Sequence, residues 1–458
     1  MPRRIRSILF ALLVTISALS LSPLRTPAWS QERSPRERMV LIRDAETETL
    51  LRGFAVSLYR AAGLDPRKIR IILVRDRAIN AFVSTGNRMF IHTGLLLQTD
   101  SALEVVGTMA HETGHVLHAD LSRVPEMARQ ALLQTLGSLL IAGAAGIAAH
   151  DAGVGAGAMM GGASMAHRTY LSFSRGQEES ADESAMRFLD RLGWSARGLL
   201  RLFERLEQED ALISDRRDPY LLTHPMTHDR MAFVQRHIAA APAGVGDLPA
   251  KIENDYRMVR AKLDGFISIP RTVLRAYAAN DPSPAARYAR AAAEHQLSHR
   301  TAALALMNGL IAEQPGNPWF RELKGQILYE NGQARPAVAS YQEAVRLAPD
   351  QPLLRQGLAQ AMLETSDRAM LRQAVDHLEV AQRQDREDGT TWHLLGIAWG
   401  RLGNLGEANL ALAEEAMLAN DIQAARRFAR VAADSLPQGP SNLRAIDIGN
   451  AVKKENRQ

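Results

Sequence analysis

Apolar positions at helical spacing mark two segments near the start of the chain. Over residues 45–62 they recur every three to four residues, and Gly63 ends the pattern, which predicts a helix. Ser101 and Glu104 have the spacing of a capping box, and the apolar positions after them continue to about Leu117. We predict that this second segment is also a helix.

Three short runs between these helices have the composition of β-strands. Residues 69–74 form a β-branched run, and the apolar runs 81–83 and 89–91 are joined by a turn-rich connection. We predict that the three strands form one small antiparallel sheet.

Beyond about Ser283 the pattern repeats with the period of a two-helix unit. Pro315 and Pro349 lie 34 residues apart. Alanines recur at spacings of 34, 37 and 34 at Ala303, Ala337, Ala374 and Ala408. Small residues let paired helices approach each other, and proline stops the second helix of a pair. The pattern predicts an α-helical superhelix of tetratricopeptide repeats, and the alternative is an unrelated helical bundle.

These patterns predict a mainly α chain of the α+β class, in which the small sheet belongs to the first domain. A stretch with Pro and Gly at 239–249 precedes the end of that domain. The predicted segments are a leader at 1–30, a first domain at 31–265, a linker at 266–282, the repeat domain at 283–440 and a C-terminal tail at 441–458.

The composition narrows the possible chemistry. The 458 residues include no cysteine, which excludes disulfides, thiolate catalysis and cysteine-ligated metal clusters. Any metal must therefore be bound by His, Asp or Glu. The formal net charge is +5, but four arginines lie in residues 1–30, and the remainder carries only +1. We do not expect a nucleic-acid partner.

The first thirty residues have the pattern of a secretory signal. Arg3, Arg4 and Arg6 precede an uncharged apolar stretch over 8–21, and small residues lie around Ser30. The stretch is shorter than the ~20 apolar residues of a membrane span. We expect cleavage near Ser30, and a retained anchor helix is the alternative. Export without disulfides suits a bacterial periplasm.

A second segment of low charge lies inside the first domain. Residues 131–149 contain no charged side chain, and Gly, Ala, Met and Val dominate 150–165. We interpret 131–165 as a buried or membrane-touching hairpin, because Gly and Ala contribute little to transfer into lipid. The alternative is a membrane span.

The strongest chemical signal is the sequence His111-Glu112-Thr113-Gly114-His115 inside the second predicted helix. A spacing of four places the two imidazoles on one face, one turn apart, where two ring nitrogens can bind one metal ion. Glu112 lies beside them and can act as a base toward water. A catalytic zinc site also needs a third protein ligand and an open position.

Glu178 and Asp182 are candidates for that ligand on a separate predicted helix. They are four residues apart, and two like charges on one helix face are unfavourable unless a positive charge lies opposite. One carboxylate would bind the ion, and the other would accept the outer N–H of a ligand histidine and fix its tautomer. A solvated acidic helix face is the alternative interpretation.

The motif at 111–115, followed by Glu178-Glu179-Ser180-Ala181-Asp182, resembles the CAAX prenyl endopeptidase and HtpX-like family of zinc metalloproteases. The resemblance implies a zincin-like domain with one zinc ion per chain, bound by His111, His115 and Glu178. It also implies that Glu112 is the base and that Asp182 supports the site. Three further stretches and one arginine are similar to that family: Asn80–Phe82, Thr93–Leu96, Thr223–Pro225 and Arg230.

Four other positions are interpreted one by one. His224 is expected near the metal, where it donates to the developing oxyanion or occupies the fourth coordination position. Arg230, six residues later, is expected to bind a carboxylate. His118 is interpreted as a surface or supporting residue. Asp120 stands where relatives often carry histidine.

The resemblance and the leader together predict a periplasmic zinc metalloendopeptidase that hydrolyses unfolded or misassembled outer-membrane proteins. The repeats are expected to recruit these clients or the outer-membrane assembly machinery. The segment 88–92 is expected to be an edge strand that pairs main chain to main chain with an extended substrate. One alternative is a chaperone or adaptor with a latent protease site, and another is an integral protease with a membrane hairpin at 131–165.

Overall fold

The computed structural model describes residues 39–118, 175–212, 224 and 227–455. The predicted signal peptide, the 131–165 segment and Asp120 lie outside these ranges. Among the described residues, no helix is both long enough and apolar enough to cross a membrane. All elements named below belong to one structural unit that begins at Val40.

A four-stranded sheet follows the predicted strand runs. Its strands are β1 (Leu41–Ile42), β2 (Arg70–Val74), β3 (Ala81–Ser84) and β4 (Arg88–His92), in the order β1-β2-β4-β3. β1 and β2 are antiparallel, as are β3 and β4, but β2 and β4 are parallel. The prediction of an antiparallel sheet is therefore wrong for the central pair, because the β3–β4 hairpin turns back and inserts β4 beside β2.

The position of β4 also corrects the predicted edge strand. β4 is paired on both sides, so the segment 88–92 has no free edge for a substrate. Met89 and Ile91 of β4 are completely buried, and this burial favours the central position. β3 is the edge strand on that side of the sheet.

Seven helices of the described chain belong to the same region as the sheet. They are α1 (Ala45–Ala61), α2 (Thr93–Gln98), α3 (Ala102–Leu117), α4 (175–192), α5 (Arg197–Leu212), α6 (His228–Ala239) and α7 (Ala250–Ile267). The two predicted helices are confirmed as α1 and α3. Ser101 is the N-cap of α3, but its side chain caps no backbone N–H, and Glu104 instead accepts from the N–H of Asp100 at 3.2 Å.

The core of this region forms where α1 and α3 pack against the sheet and α5 packs against α3. Leu51 and Leu58 of α1, Met109 of α3 and Phe203 of α5 are fully buried there. α3 approaches α5 closely, because a β-carbon on Gly107 would lie 2.7 Å from the backbone nitrogen of Leu199. The apolar face of α3 is thus packed tightly, and the side chains that follow it are held in fixed positions.

Helices α8 (Pro270–Ala276) to α18 form the rest of the described chain. The helix pairs are α9 (Pro284–Gln296) with α10 (Arg300–Glu313), α11 (Pro318–Glu330) with α12 (Ala334–Leu347), α13 (Pro352–Leu363) with α14 (Arg368–Gln384), α15 (Gly389–Leu402) with α16 (Leu405–Leu418), and α17 (Ile422–Ser435) with α18 (Pro440–Glu455). The predicted tetratricopeptide-like superhelix is confirmed as a fold. α8 occupies much of the predicted linker and α18 most of the predicted tail, while the domain boundaries remain predictions.

Packing around Tyr341 explains the small residues of the repeat pattern. A β-carbon on Gly325 or on Gly357 would lie 2.8 Å from the Tyr341 ring. The Tyr341 ring, on α12, is therefore held between the backbones of α11 and α13, and a side chain at either glycine would displace it.

A buried charge cluster joins α1 and α7 to the repeats. Lys262 Nζ lies 2.6 Å from Asp44 Oδ2 and 3.3 Å from both Glu46 Oε2 and Glu322 Oε2. Tyr288 donates its hydroxyl to Glu46 Oε2 at 2.9 Å. Burial raises the pKa of Glu46 to about 7, although Lys262 acts against this rise. These contacts fix the start of α1 against the repeats.

Candidate metal centre

α3 holds three of the predicted site residues in the core. The helix continues through the motif, so His111 and His115 share a face and Glu112 lies beside them. His111 and Glu112 are at most 1% exposed, and His115 is 8% exposed. Polar groups buried to this degree need partners, which a neighbouring helix provides.

α4 crosses α3 at backbone distance. A β-carbon on Gly114 would lie 2.8 Å from the carbonyl oxygen of Ala181, so only glycine fits at this crossing. The contact turns Glu178 and Asp182, one on each side of Ala181, toward the histidines of α3. Both carboxylates are buried.

The donor atoms of the first three predicted ligands converge. His111 Nε2 and His115 Nε2 lie 3.1 Å apart. Glu178 Oε2 lies 3.3 Å from His111 Nε2, and Glu178 Oε1 lies 3.4 Å from His115 Nε2. One ion can therefore be reached by all three side chains.

His224 belongs to the same group of donors. Its Nδ1 lies 3.1 Å from Glu178 Oε1 and 3.3 Å from His111 Nε2. One ligand atom from each of His111, His115, Glu178 and His224 lies within 4.8 Å of the others. His224 therefore lies beside the other three candidate donors, and its proximity to a metal ion and its role stay predictions.

Asp182 and Arg230 form the layer behind these donors. Asp182 Oδ1 lies 2.8 Å from His111 Nδ1, on the outer side of that ring. Arg230 donates from Nε and Nη2 to Asp182, at 2.6 and 2.9 Å, and its Nη1 lies 2.9 Å from Glu178 Oε2. The guanidinium also lies 4.9 Å above the ring of Phe203. The expected pairing of Arg230 with a carboxylate is confirmed.

The charges of this layer set its protonation. Burial raises the pKa of Asp182, but the charge of Arg230 outweighs it, and the pKa lies below its usual range. Burial likewise raises the pKa of Glu178, while hydrogen bonds to the histidines lower it far below normal. An ionised Asp182 only accepts, so His111 donates from Nδ1 and keeps Nε2 free for an ion.

Glu112 is held by the edge strand. Its Oε2 accepts the backbone N–H of Val83 in β3 at 3.1 Å. Its Oε1 is buried, has no hydrogen-bond partner among the described residues, and lies 3.4 Å from His224 Nε2. One carboxylate oxygen is thus fixed while the other faces the donor group.

Residues 43–238 match the sequence profile of peptidase family M48. This stretch is a peptidase family M48 domain. The M48 domain contains every residue of the site described above, and the chain is accordingly a metallopeptidase, as the motif of α3 predicts.

Full-length relatives extend the likeness beyond the M48 domain. The chain is 26% identical over 367 residues to the beta-barrel assembly-enhancing protease of Yersinia pestis. The aligned region covers 76% of this chain and 71% of that protein. It is 25% identical over 404 residues to the protein of the same name from Escherichia coli K12, with 86% of this chain and 80% of that protein covered. The crystal structure of YrrB, a TPR protein with an unusual peptide-binding site, covers 38% of this chain and 91% of its own at 16% identity and a TM-score of 0.31.

The donors of the M48 domain fit a divalent transition metal. Three imidazole nitrogens and one carboxylate are ligands typical of such ions, whereas magnesium and calcium prefer oxygen ligands alone. The outer hydrogen bond from His111 to Asp182 is also the arrangement that orients a metal-binding histidine.

One residue of the M48 domain agrees with its interpretation from sequence, and another is not indicated by the sequence. His118 lies outside the donor group, with its Nε2 2.9 Å from the buried hydroxyl of Ser184, so it supports the contact of α3 with α4. Sequence reasoning missed Val83, because a backbone N–H that binds a side chain of another element leaves no residue pattern. Its position beside the Asn80-Ala81-Phe82 stretch is the only signal that points to it.

Proposed function

We propose that the chain is a zinc metalloendopeptidase with one zinc ion, bound by His111, His115 and Glu178. The observation that carries the proposal is the convergence of these three donors beside a buried Glu112 oxygen without a hydrogen-bond partner among the described residues. An ion held there would lower the pKa of water and polarise a peptide carbonyl.

Glu112 is the base in this proposal. Its Oε1 takes a proton from the attacking water and delivers it to the leaving amine nitrogen, while the N–H of Val83 fixes the other oxygen at 3.1 Å. A carboxylate that is held at one oxygen keeps its orientation through both transfers.

Asp182 and Arg230 are positioning residues. Asp182 keeps the proton of His111 on Nδ1, and Arg230 neutralises two buried carboxylates that would otherwise repel each other. The site is thereby preformed before substrate arrives.

We propose that an extended substrate peptide pairs with the outer edge of β3. The N–H of His92 donates to the carbonyl of Asn80, so the main-chain groups of Asn80 face β4. Strand alternation then directs the N–H groups of Ala81 and Val83 away from β4, and that of Val83 reaches Glu112. A peptide paired with this edge lies beside the base. Such pairing needs an extended chain, which favours unfolded substrates.

The names of the full-length relatives suggest the substrate class. Both are beta-barrel assembly-enhancing proteases, so we propose that this chain acts on unfolded or misassembled outer-membrane proteins in the periplasm. The N-terminal pattern of a signal peptide supports export, and the repeat superhelix provides a surface for recruiting clients or assembly machinery.

His224 favours a second candidate function. Its Nδ1 lies among the donors, where it would complete a four-ligand set and leave no position open for water. A protein kept in that state would act as a chaperone or adaptor for outer-membrane assembly with a latent protease site.

The test uses Glu112→Gln in the full chain with unfolded casein as substrate. We expect the variant to bind zinc as the wild type does and to lose cleavage. Zinc binding together with full cleavage would reject Glu112 as the base. Rescue of a deletion strain by this inactive variant would favour the chaperone function over the protease.

A further inference from the structure

The last helix pair carries a groove outside the metallopeptidase site. It lies between α17 and α18 and has a volume of about 550 Å³. Arg426, Arg427 and Arg430 line it from α17, and Ile446 and Gly449 line it from α18. Among the residues that the structure describes, no acidic side chain lines the groove.

The arginines of the groove are available for a ligand. Arg426, Arg427 and Arg430 are exposed, and none forms an ion pair with a described residue. Arg444 of α18, which does not line the groove, instead binds the carboxylate of Glu414 through Nε and Nη2. Unpaired guanidinium groups are suited to bidentate binding of carboxylates.

The groove combines this charge with an apolar floor. Ala429 and Ala445 are buried at its base, and Ile446 is 42% exposed. A β-carbon on Gly449 would meet no atom within 4 Å, so the space above this residue is open. Arg426 and Arg430 are one helical turn apart, about 6 Å along the axis, which matches alternate residues of an extended peptide.

We propose that this groove is a docking site for an acidic segment of a partner protein, in which carboxylates alternate with apolar side chains. Charge complementarity selects the acidic residues, and the floor accepts the apolar ones. A recessed groove between two helices suits a single peptide better than a lipid surface, because a membrane would contact only the raised rims. The site is separate from the metal centre and from the β3 edge, and it does not depend on the proposed catalysis.

The experiment measures fluorescence anisotropy of a short labelled peptide of alternating Glu and Leu. The protein is the full chain with Glu112→Gln, so that the peptide is not cleaved. One disruptive variant combines Arg426→Glu with Arg430→Glu. The other is Gly449→Glu, which places an acidic side chain in the open space above this residue. Their matched controls are Arg372→Glu, at an exposed arginine of α14, and Gly449→Ala. Circular dichroism reports whether each variant is folded.

We expect the acidic peptide to bind, with an affinity that falls as salt is raised. Each disruptive change should weaken it about tenfold or more, and both controls should retain it. Equal binding of a Lys-Leu peptide, or no effect of the disruptive changes, would overturn the proposal. Binding only to phosphatidylglycerol vesicles would also overturn it, because that result indicates a membrane site. So would self-association of the wild type that Arg426→Glu abolishes, because that result indicates that a second copy of the chain occupies the groove.

Discussion

A β-carbon on Gly114 of α3 would lie 2.8 Å from the carbonyl oxygen of Ala181 in α4. This backbone contact sets the distance between the two helices that carry the metal-site residues. His111 and His115 flank Gly114 along the chain, and Glu178 and Asp182 flank Ala181. The geometry of the donor group therefore depends on a residue that contributes no side chain to it.

The first prediction concerns Gly114→Ala. The added methyl group would force α3 and α4 apart, and we expect a loss of about 1–3 kcal/mol of stability with weaker zinc binding. Gly53→Ala in α1 is the matched control, because a β-carbon there meets nothing within 4 Å. Zinc titration and urea unfolding measure both effects. Normal zinc affinity in Gly114→Ala would show that the crossing does not set the site.

The second prediction concerns Arg230→Met. Removing the guanidinium leaves Glu178 and Asp182 buried without their cation, and we expect the metal-free protein to lose about 3–5 kcal/mol of unfolding free energy. The matched control is Arg201→Met, at an exposed arginine of α5, which should change the unfolding free energy by less than about 0.5 kcal/mol.

The pH dependence of this loss follows from Asp182. Arg230 holds the pKa of Asp182 below its usual range in spite of burial. The stabilisation of the folded protein by ionised Asp182 is therefore complete above the unfolded-state pKa of about 4. It disappears as the pH falls through the folded-state pKa. The difference between wild type and Arg230→Met should be largest near neutral pH and narrow in acid. A difference that is constant from pH 7 to pH 3 would contradict this assignment.

The third prediction concerns Glu46 in the cluster around Lys262. Burial raises the pKa of Glu46 to about 7, so the folded protein holds a proton that the unfolded chain releases above about pH 4.5. Stability should therefore fall, by about 3 kcal/mol at most, as the pH rises from 4.5 to 7. Glu46→Gln should remove this part of the pH dependence. Unfolding curves at several pH values measure it, and an unchanged slope in the variant would refute the prediction.

The fourth prediction concerns His224→Ala. Because His224 Nδ1 lies 3.1 Å from Glu178 Oε1, we expect this side chain to occupy the fourth position at the ion. Its removal should raise kcat for casein several-fold and leave the zinc content unchanged. A fall in kcat would instead assign His224 to stabilisation of the transition state.

The sequence predicts which candidate site residues converge better than it predicts the sheet. Residues four apart on a helix must share a face, so the pairs His111–His115 and Glu178–Asp182 follow from spacing alone. Strand order depends on long-range pairing, which no local pattern encodes. The runs at 81–83 and 89–91 indicate a hairpin correctly, but not that β4 inserts beside β2.

Contacts between distant parts of the chain were also beyond sequence reasoning. Lys262 and Glu322 show ordinary helical surface patterns, and only the packing of α7 against α1 and α11 buries them together with Asp44 and Glu46. The hydrogen bond from Val83 to Glu112 likewise depends on the position of β3 beside α3. Burial of this kind is a property of the tertiary fold and not of a segment.

The most direct test of the proposed site is the zinc content of the purified full chain, wild type and Glu178→Ala, measured by inductively coupled plasma mass spectrometry after dialysis. We predict one zinc ion per chain in the wild type and a large loss in Glu178→Ala, with the variant still folded by circular dichroism. Equal zinc in both proteins, or none in an active wild type, would contradict binding of the ion by His111, His115 and Glu178.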